Sequence, residues 1–318
     1  MKKLRKSKWK KLCAAAIAVM IIAAGMRISS SVSEIPFFTG SGKSMFSGSD
    51  EIPEGNIDLN TLYSPYAVLV DLESGNVLAE QNSAERMYPA SLTKIMTALI
   101  AIEETEDMEQ TTTLPSDIFP SLYEENASLA GFQPGETVTW KDLLYGVMLP
   151  SGAECCLTFA RQIAGSEGAF VDLMNKKAEE LGMNDTHFSN ATGLQDKKHY
   201  STVRDIAVLL RYALENETFR QVFTARRYSV PPTAYHSEGF TFYNTMFQAM
   251  DNAGISDDDI LGGKTGYTEK AGLCLASLAE INDREYILVT AKADGSHYTE
   301  PYHVMDAENV YGQIRKKV

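Results

Sequence analysis

The sequence predicts a mixed α and β fold, in which an antiparallel sheet is flanked by helices and a helical lobe lies beside it. Three observations lead to this class: β-rich runs open the folded part, helical patterns fill its middle, and further β-rich runs with one helix close it. Because strands stand at both ends of this order, the early and late strands are expected to share one sheet, with the helices inserted between them.

The strands are predicted from short runs of β-branched and apolar residues. Residues 66–72 and 77–80 are two such runs around Ser74-Gly75-Asn76, which is typical of a hairpin. Three later strands are predicted, the last two joined by a turn at Asn282-Asp283: 263–268, 272–280 and 285–293.

The helices are predicted from apolar residues that recur at helical spacing. Residues 91–104 carry Ile95, Leu99 and Ile102 on one face, with Ser91 at the start of the helix. Thr202 is a suitable N-cap for a helix over 202–215. Helical patterns are also found over three further ranges: 141–163, 167–182 and 299–316.

Charge is distributed unevenly along the chain. The 318 residues have a formal net charge of −13, yet residues 1–27 hold eight basic residues and no acidic one. The remainder therefore keeps 21 of the 29 basic residues against all 42 acidic ones. A body of this charge repels phosphate backbones, so a nucleic acid is not expected as a partner.

Residues 1–27 have the pattern of a signal peptide or an N-terminal membrane anchor. A basic stretch over 1–11 precedes an unbroken apolar run over 12–26. The apolar run is shorter than the roughly 20 residues of a spanning helix, so cleavage and retention stay open. The positive-inside rule places the rest of the chain outside the cell membrane. Residues 28–59 are rich in Ser, Gly and Pro and are expected to be a flexible linker to one domain over 60–318.

Ser91 and Lys94 form an S-x-x-K pair. Residues three apart share one helix face, so the Lys94 amine can reach the Ser91 hydroxyl. A serine hydroxyl is a weak nucleophile unless a base takes its proton, and a lysine can do so when burial and nearby cations lower its pKa. The helix N-terminus adds a positive potential where an oxyanion would form. The pair alone is common in helices.

Lys264-Thr265-Gly266 is a K-T-G motif on a predicted strand. Lys264 offers a cation and Thr265 a hydroxyl to a terminal carboxylate, and Gly266 allows a substrate backbone to approach closely. Because neighbouring side chains of a strand point to opposite faces, the strand must be twisted or lie at a sheet edge for Lys264 and Thr265 to serve one site.

A third motif, Ser151-Gly152-Ala153, lies between the other two. An S-x-x-K pair, a middle serine motif and K-T-G, in this order, are the signature of penicillin-binding proteins and class A β-lactamases. Over about residues 60–318, including segment 170–194, the chain resembles the D-alanyl-D-alanine carboxypeptidase family of low-molecular-mass penicillin-binding proteins. The resemblance implies the β-lactamase/DD-peptidase, transpeptidase-like fold.

The resemblance also implies catalytic roles. Ser91 would attack the D-Ala-D-Ala bond of a peptidoglycan stem peptide and form an acyl-enzyme, which water would release. Lys94 would be the general base, and Ser151 would pass a proton to the leaving amine. β-Lactam antibiotics would inhibit the protein covalently.

The resemblance implies binding roles on the K-T-G strand. Lys264 and Thr265 would hold the terminal carboxylate of the substrate, beside Gly266. The backbone N–H groups of Ser91 and Tyr267 would form the oxyanion hole. Relatives with a further anchoring domain follow this motif with more chain, so membrane attachment is expected through the N-terminal segment.

The middle motif departs from the family pattern. Its third residue is usually an asparagine that hydrogen-bonds the substrate backbone and the first lysine, whereas this chain has Ala153. Losing such a positioning bond costs on the order of 10²-fold in rate, so slow turnover, altered substrate preference and a mainly binding role stay open. Glu154 follows and is one candidate to compensate for the missing asparagine, but its side chain is expected to point elsewhere.

Two alternative functions are therefore considered. A non-catalytic or very slow penicillin- or peptidoglycan-binding protein is motivated by Ala153. A β-lactamase-like hydrolase would need a group that activates water, and no E-x-x-L-N segment is found. The five histidines are scattered, with His199 expected to be structural, and the four cysteines are expected to be small buried residues. No metal and no organic cofactor is expected.

Overall fold

The computed structural model describes residues 57–256 and 258–316. The predicted signal or anchor, 1–27, and most of the predicted linker lie outside these residues. Across the described ranges, every helix is too short or too polar to cross a membrane.

The strands of the described residues form one large sheet and two small ribbons. Their bounds are β1 (Tyr66–Asp71), β2 (Val77–Gln81), β3 (Thr111–Thr113), β4 (Thr137–Thr139), β5 (Arg227–Val230), β6 (Phe240–Tyr243), β7 (Ile260–Thr268), β8 (Gly272–Ile281) and β9 (Arg284–Ala293). The large sheet is antiparallel with strand order β2-β1-β9-β8-β7, while β3–β4 and β5–β6 are separate pairs. The early and late strands therefore share one sheet, as the sequence predicts.

The helices surround this sheet. Their bounds are α1 (Lys94–Glu103), α2 (Phe119–Glu124), α3 (Trp140–Met148), α4 (Ala153–Ala164), α5 (Glu167–Glu180), α6 (Val203–Leu214), α7 (Glu217–Phe223), α8 (Thr245–Ala253) and α9 (Tyr302–Arg315). The predicted cap of α6 is confirmed, because the Thr202 hydroxyl accepts the backbone N–H of Asp205 at 3.0 Å. The turn at Asn282 and Asp283 is also confirmed, with φ values of 52° and 60° that suit a tight hairpin.

The helix predicted over 141–163 is interrupted, and this is a correction. Helix α3 ends at Met148 and α4 begins at Ala153. Pro150 cannot continue a helix because it lacks an N–H group and its ring clashes with the carbonyl four residues earlier. That carbonyl, of Gly146, accepts the N–H of Gly152 instead, at 2.8 Å. The interruption leaves Ser151 in a turn.

The large sheet is covered on both faces. One face packs against the lobe helices through side chains such as Val68, Ala276 and Val289. The other packs against α8 and α9 through their neighbours along the strands, such as Leu275 and Leu288. Alternation of side chains along each strand produces these two layers.

The K-T-G strand lies at the edge of the sheet, since β7 pairs only with β8 in the strand order. Lys264 pairs with Ala276 and so faces the lobe, whereas Thr265 pairs with Leu275 and faces α8 and α9. The expectation of an edge position is thus confirmed, and it lets both faces of β7 border one cleft.

Candidate active site

Ser91 lies on a short 3-10 turn, Ala90–Thr93, immediately ahead of α1. The turn begins with Ala90 at φ 47°, a left-handed conformation that a non-glycine residue adopts only when its surroundings hold it there. One such contact comes from Gly193, where an added Cβ would lie 1.9 Å from the Ala90 carbonyl oxygen. A glycine is therefore required at this contact, which fixes the start of the Ser91 turn.

Lys94 is the hydrogen-bond partner of Ser91. Its Nζ donates to Ser91 Oγ at 3.1 Å and to the carbonyl oxygen of Thr192 at 2.6 Å. Lys94 is only 3% exposed, and burial lowers its pKa, with an opposing contribution from Cys156 and Glu154. A neutral amine at this distance can accept the proton of the Ser91 hydroxyl.

Lys264 makes the equivalent contact with Ser151. Its Nζ donates to Ser151 Oγ at 3.0 Å and to the carbonyl oxygen of Thr265 at 3.0 Å. Lys264 is fully buried, and burial, followed by the nearby charge of Lys94, holds its pKa well below the usual range. Ser91 and Ser151 thus each have one buried lysine beside the hydroxyl.

Ser151 owes its position to the break between α3 and α4. Its φ is 68°, again a left-handed conformation at a non-glycine residue. In this turn the Ser151 hydroxyl lies 3.0 Å from Lys264 Nζ.

The remaining motif residues line the edge of β7. At Gly266 an added Cβ would lie 3.1 Å from Ser91 N and 3.2 Å from the Pro89 carbonyl oxygen. The sequence assigned this glycine to the approach of a substrate, and in the structure it also gives room to the Ser91 turn. The hydroxyls of Thr265 and Thr245 are hydrogen-bonded at 2.6 Å.

A cleft of about 390 Å³ joins these groups. It is bordered by Ser91 and Ser151 on the lobe side, and it continues around β7 to a wall formed by segment 296–301. The Tyr267 ring lies in this continuation, with its centroid 4.7 Å from the ring of His297. All seven residues that the sequence singled out therefore lie in or directly beneath one cleft.

Sequence reasoning missed other residues that build the site. Thr192 supplies the carbonyl for Lys94, and Ser128 lines the cleft. His199 was expected to be structural, and it contacts the motif itself: its Nδ1 accepts the N–H of Ser189 at 3.0 Å, so Nε2 carries the hydrogen and donates to Thr93 Oγ1 at 2.7 Å. These contacts join residues 98 and 106 positions apart in the chain, so no local sequence pattern could have revealed them.

Comparison with known proteins identifies the family of this chain. The sequence model of the serine peptidase family described as D-alanyl-D-alanine carboxypeptidase matches residues 56–295. The chain belongs to the D-alanyl-D-alanine carboxypeptidase family. The resemblance drawn from the three motifs is therefore confirmed at the level of the family.

Curated members of the family match most of this chain. D-alanyl-D-alanine carboxypeptidase DacF of Bacillus subtilis is 37% identical over 227 residues, which are 70% of this chain and 56% of the relative. DacA of Escherichia coli is 34% identical over 220 residues, 67% of this chain and 52% of the relative. The chain thus spans about half the length of these family members.

Two solved structures share the fold of this chain. A Streptomyces DD-transpeptidase superposes with a TM-score of 0.72 at 25% identity, covering 80% of this chain and 97% of that one. A D-alanyl-D-alanine carboxypeptidase from Mycobacterium tuberculosis gives 0.69 at 26% identity, covering 83% and 95%. The expected transpeptidase-like fold is confirmed.

Proposed function

We propose that this chain is a serine carboxypeptidase that removes the terminal D-alanine from D-Ala-D-Ala-ending peptidoglycan stem peptides. The observation that carries the proposal is the pair of serine–lysine hydrogen bonds in one cleft, Ser91 with Lys94 at 3.1 Å and Ser151 with Lys264 at 3.0 Å. A nucleophile with its own base, beside a second proton carrier and a cation, is what acyl transfer from a peptide ending in a carboxylate requires.

Substrate binding would set the protonation states of the two lysines. Two buried ammonium groups in one cleft repel each other, which favours one charge over two. The terminal carboxylate of the substrate would pair with Lys264 and the Thr265 hydroxyl, and so stabilise the charge on Lys264. Lys94 would remain neutral and able to act as a base.

Acylation would then follow from the positions of the groups. Ser91 Oγ bonds to the carbonyl carbon as its proton passes to Lys94 Nζ, and the backbone N–H groups of Ser91 and Tyr267 would stabilise the oxyanion. The C–N bond breaks as the leaving nitrogen takes the Ser151 proton, and the proton held by Lys94 passes to Ser151, so that Lys94 is neutral again and Lys264 keeps its charge. Water then attacks the ester carbonyl carbon as Lys94 takes a proton from it. The ester C–O bond breaks as Lys94 returns that proton to Ser91 Oγ, which releases the shortened peptide.

β-Lactams would acylate Ser91 by the same first step. Their strained amide carbonyl would occupy the position of the D-Ala-D-Ala carbonyl, and their carboxylate the position of the terminal carboxylate. Penicillin would therefore label Ser91 covalently.

The proposed location is the outer face of the bacterial cell membrane, with residues 1–27 as signal or anchor, 28–59 as linker and 60–318 as the catalytic domain. The basic-then-apolar pattern of the first 27 residues supports this arrangement. N-terminal sequencing of protein from membrane and medium fractions tests it. A mature protein recovered from the cytosol with an intact N-terminus would contradict export.

A mainly binding role is the second candidate, and Ala153 favours it. The Ala153 side chain is buried in the apolar cluster of the lobe, 1% exposed, and offers no hydrogen bond to a substrate. Such a protein would be acylated at Ser91 and released too slowly to act as an enzyme.

D-alanine release from a peptide ending in D-Ala-D-Ala separates these candidates. The parent chain is compared with Ser91→Ala and with Ser229→Ala, a control whose hydroxyl lies on exposed β5. We expect release by the parent and the control, and loss of at least about 10³-fold in Ser91→Ala. Covalent penicillin labelling of the parent without release would contradict the carboxypeptidase proposal and favour the binding role.

A further inference from the structure

Glu154 is a buried carboxylate directly after the middle motif. It is 0% exposed, and its Oε1 accepts the backbone N–H groups of Ala130 at 2.7 Å and Gly131 at 2.9 Å. Within the described residues its Oε2 is buried and has no hydrogen-bond partner. Burying a carboxylate costs free energy unless both oxygens are hydrogen-bonded, and in the described part of the chain only Oε1 is. The arrangement therefore calls for an explanation.

The segment that Glu154 holds is a wall of the cleft. Ser128 lines the cleft together with Ser91 and Ser151. The Ser128 carbonyl oxygen also accepts the N–H of Ala153, at 2.8 Å. Three backbone groups over residues 128–131 are therefore tied to the first two residues of α4. We call residues 128–131 the wall segment.

The wall segment is in close contact with the turn that holds Ser151. An added Cβ at Gly152 would lie 2.7 Å from the Ala130 Cβ and 2.9 Å from Glu154 Oε2. Ser151 itself has a left-handed backbone, which persists only where surrounding structure determines it. If the bonds from Glu154 are lost, both the wall segment and the turn lose a fixed support.

The wall segment belongs to the loop between α2 and β4, and the end of this loop next to β4 is held by a second buried glutamate. Glu136, which is also 0% exposed, accepts the N–H of Gln133 at 2.8 Å and bonds to Thr233 at 2.5 Å and to His236 at 2.9 Å. Loss of Glu154 should therefore loosen the wall segment locally rather than release the whole loop.

We propose that Glu154 is a positioning residue, which holds the wall segment against α4 and thereby fixes the Ser151 turn at its distance from Lys264. The kinetic part of this inference rests on the proposed carboxypeptidase function. Glu154 would supply, through the backbone, some of the rigidity that the usual asparagine provides by direct contact.

The matched control is Asp306 on α9. It is 1% exposed, and its carboxylate accepts the N–H groups of Tyr63 at 2.8 Å and Ser64 at 2.9 Å. Glu154→Ala and Asp306→Ala thus remove the same kind of bond at the site and away from it. Glu154→Gln is the conservative variant, because it keeps the acceptor oxygen and resembles the protonated acid, and burial raises the pKa of Glu154 to about 7.

Steady-state kinetics test the inference on folded protein. We expect Glu154→Ala to lose about 10²-fold in kcat with a smaller change in KM, since a misplacement of about 1 Å costs that much. Glu154→Gln should recover at least tenfold of the loss, and Asp306→Ala should keep the parent kcat. A kcat of Glu154→Ala within about twofold of the parent would overturn the inference.

Amide hydrogen exchange tests it without turnover. In Glu154→Ala the amides of Ala130, Gly131 and Gly152 should exchange at least tenfold faster than in the parent, and those around α9 should not change. Unchanged exchange at Gly152 would overturn the inference even if the parent releases no D-alanine. That separates its failure from failure of the proposed function.

Discussion

The two faces of the large sheet are both mainly apolar, but they differ in where the buried lysines of the cleft lie. The face toward α8 and α9 is filled by apolar side chains such as Leu275, Leu288 and Val304, all 0% exposed. The face toward the lobe includes a similar apolar cluster, but it also buries Lys94 and Lys264, both polar groups of the cleft.

This difference shows how the fold divides its tasks. Burial of apolar surface stabilises a domain, while burial of an ionisable group costs free energy unless it is paired or neutral. Apolar burial on both faces supplies stability, and the lobe face uses part of it to keep two lysines at shifted pKa values. Three predictions sharpen this comparison.

The largest expected effect is on the lobe face. Lys94→Arg keeps a basic side chain of similar length, but a guanidinium stays protonated and cannot accept the Ser91 proton. We expect kcat/KM of the folded fraction for D-alanine release to fall on the order of 10³-fold. The free energy of unfolding should also fall, because a charged guanidinium replaces an amine whose pKa burial lowers. Lys141→Arg, which changes an exposed lysine paired with Glu109, is the control. Comparable activity in Lys94→Arg and the parent would rule out Lys94 as the base.

On the α8–α9 face, we expect a substitution to lower stability without changing activity. Leu288→Ala removes a fully buried side chain and leaves a cavity, which lowers the free energy of unfolding by about 2–5 kcal/mol. The kcat/KM of the folded fraction should stay within twofold of the parent, because no group of the cleft moves. Urea denaturation with activity corrected for the folded fraction measures both, and a large loss in kcat/KM would break the division between the faces.

The smallest expected effect concerns pH and His199. Burial lowers the pKa of His199 to about 4, below its ordinary value near 6.5. Its contribution to stability is therefore fully present above pH 6.5 and is lost as the pH falls from 6.5 toward 4, by at most roughly 3 kcal/mol.

Comparison of parent and His199→Gln isolates this contribution. The free energy of unfolding should fall less steeply between pH 6.5 and 4 in the variant. His303, whose pKa burial also lowers to about 4, remains in both proteins, so its share cancels from the difference. Parallel curves for the two proteins would show that His199 is not held neutral.

Much of the fold could be predicted because its signals are local. The hairpin around Ser74, the Thr202 cap and the turn at Asn282 each depend on a few neighbouring residues, and all three are formed. The prediction of one helix over 141–163 was wrong. It followed the apolar spacing, which continues across Pro150, and gave too little weight to the N–H group that Pro150 lacks.

The sequence by itself determined the family and predicted seven site residues, six of them in the three motifs and Tyr267 beside the last, because chemical identity and order along the chain carry that information. Only the tertiary structure decided which groups support them. These supports are hydrogen bonds between distant parts of the chain. They run from Lys94 to the Thr192 carbonyl, between Thr93 and His199, and from the N–H groups of residues 130 and 131 to Glu154. Such contacts depend on where packing brings backbone groups together, and no spacing in the sequence encodes that.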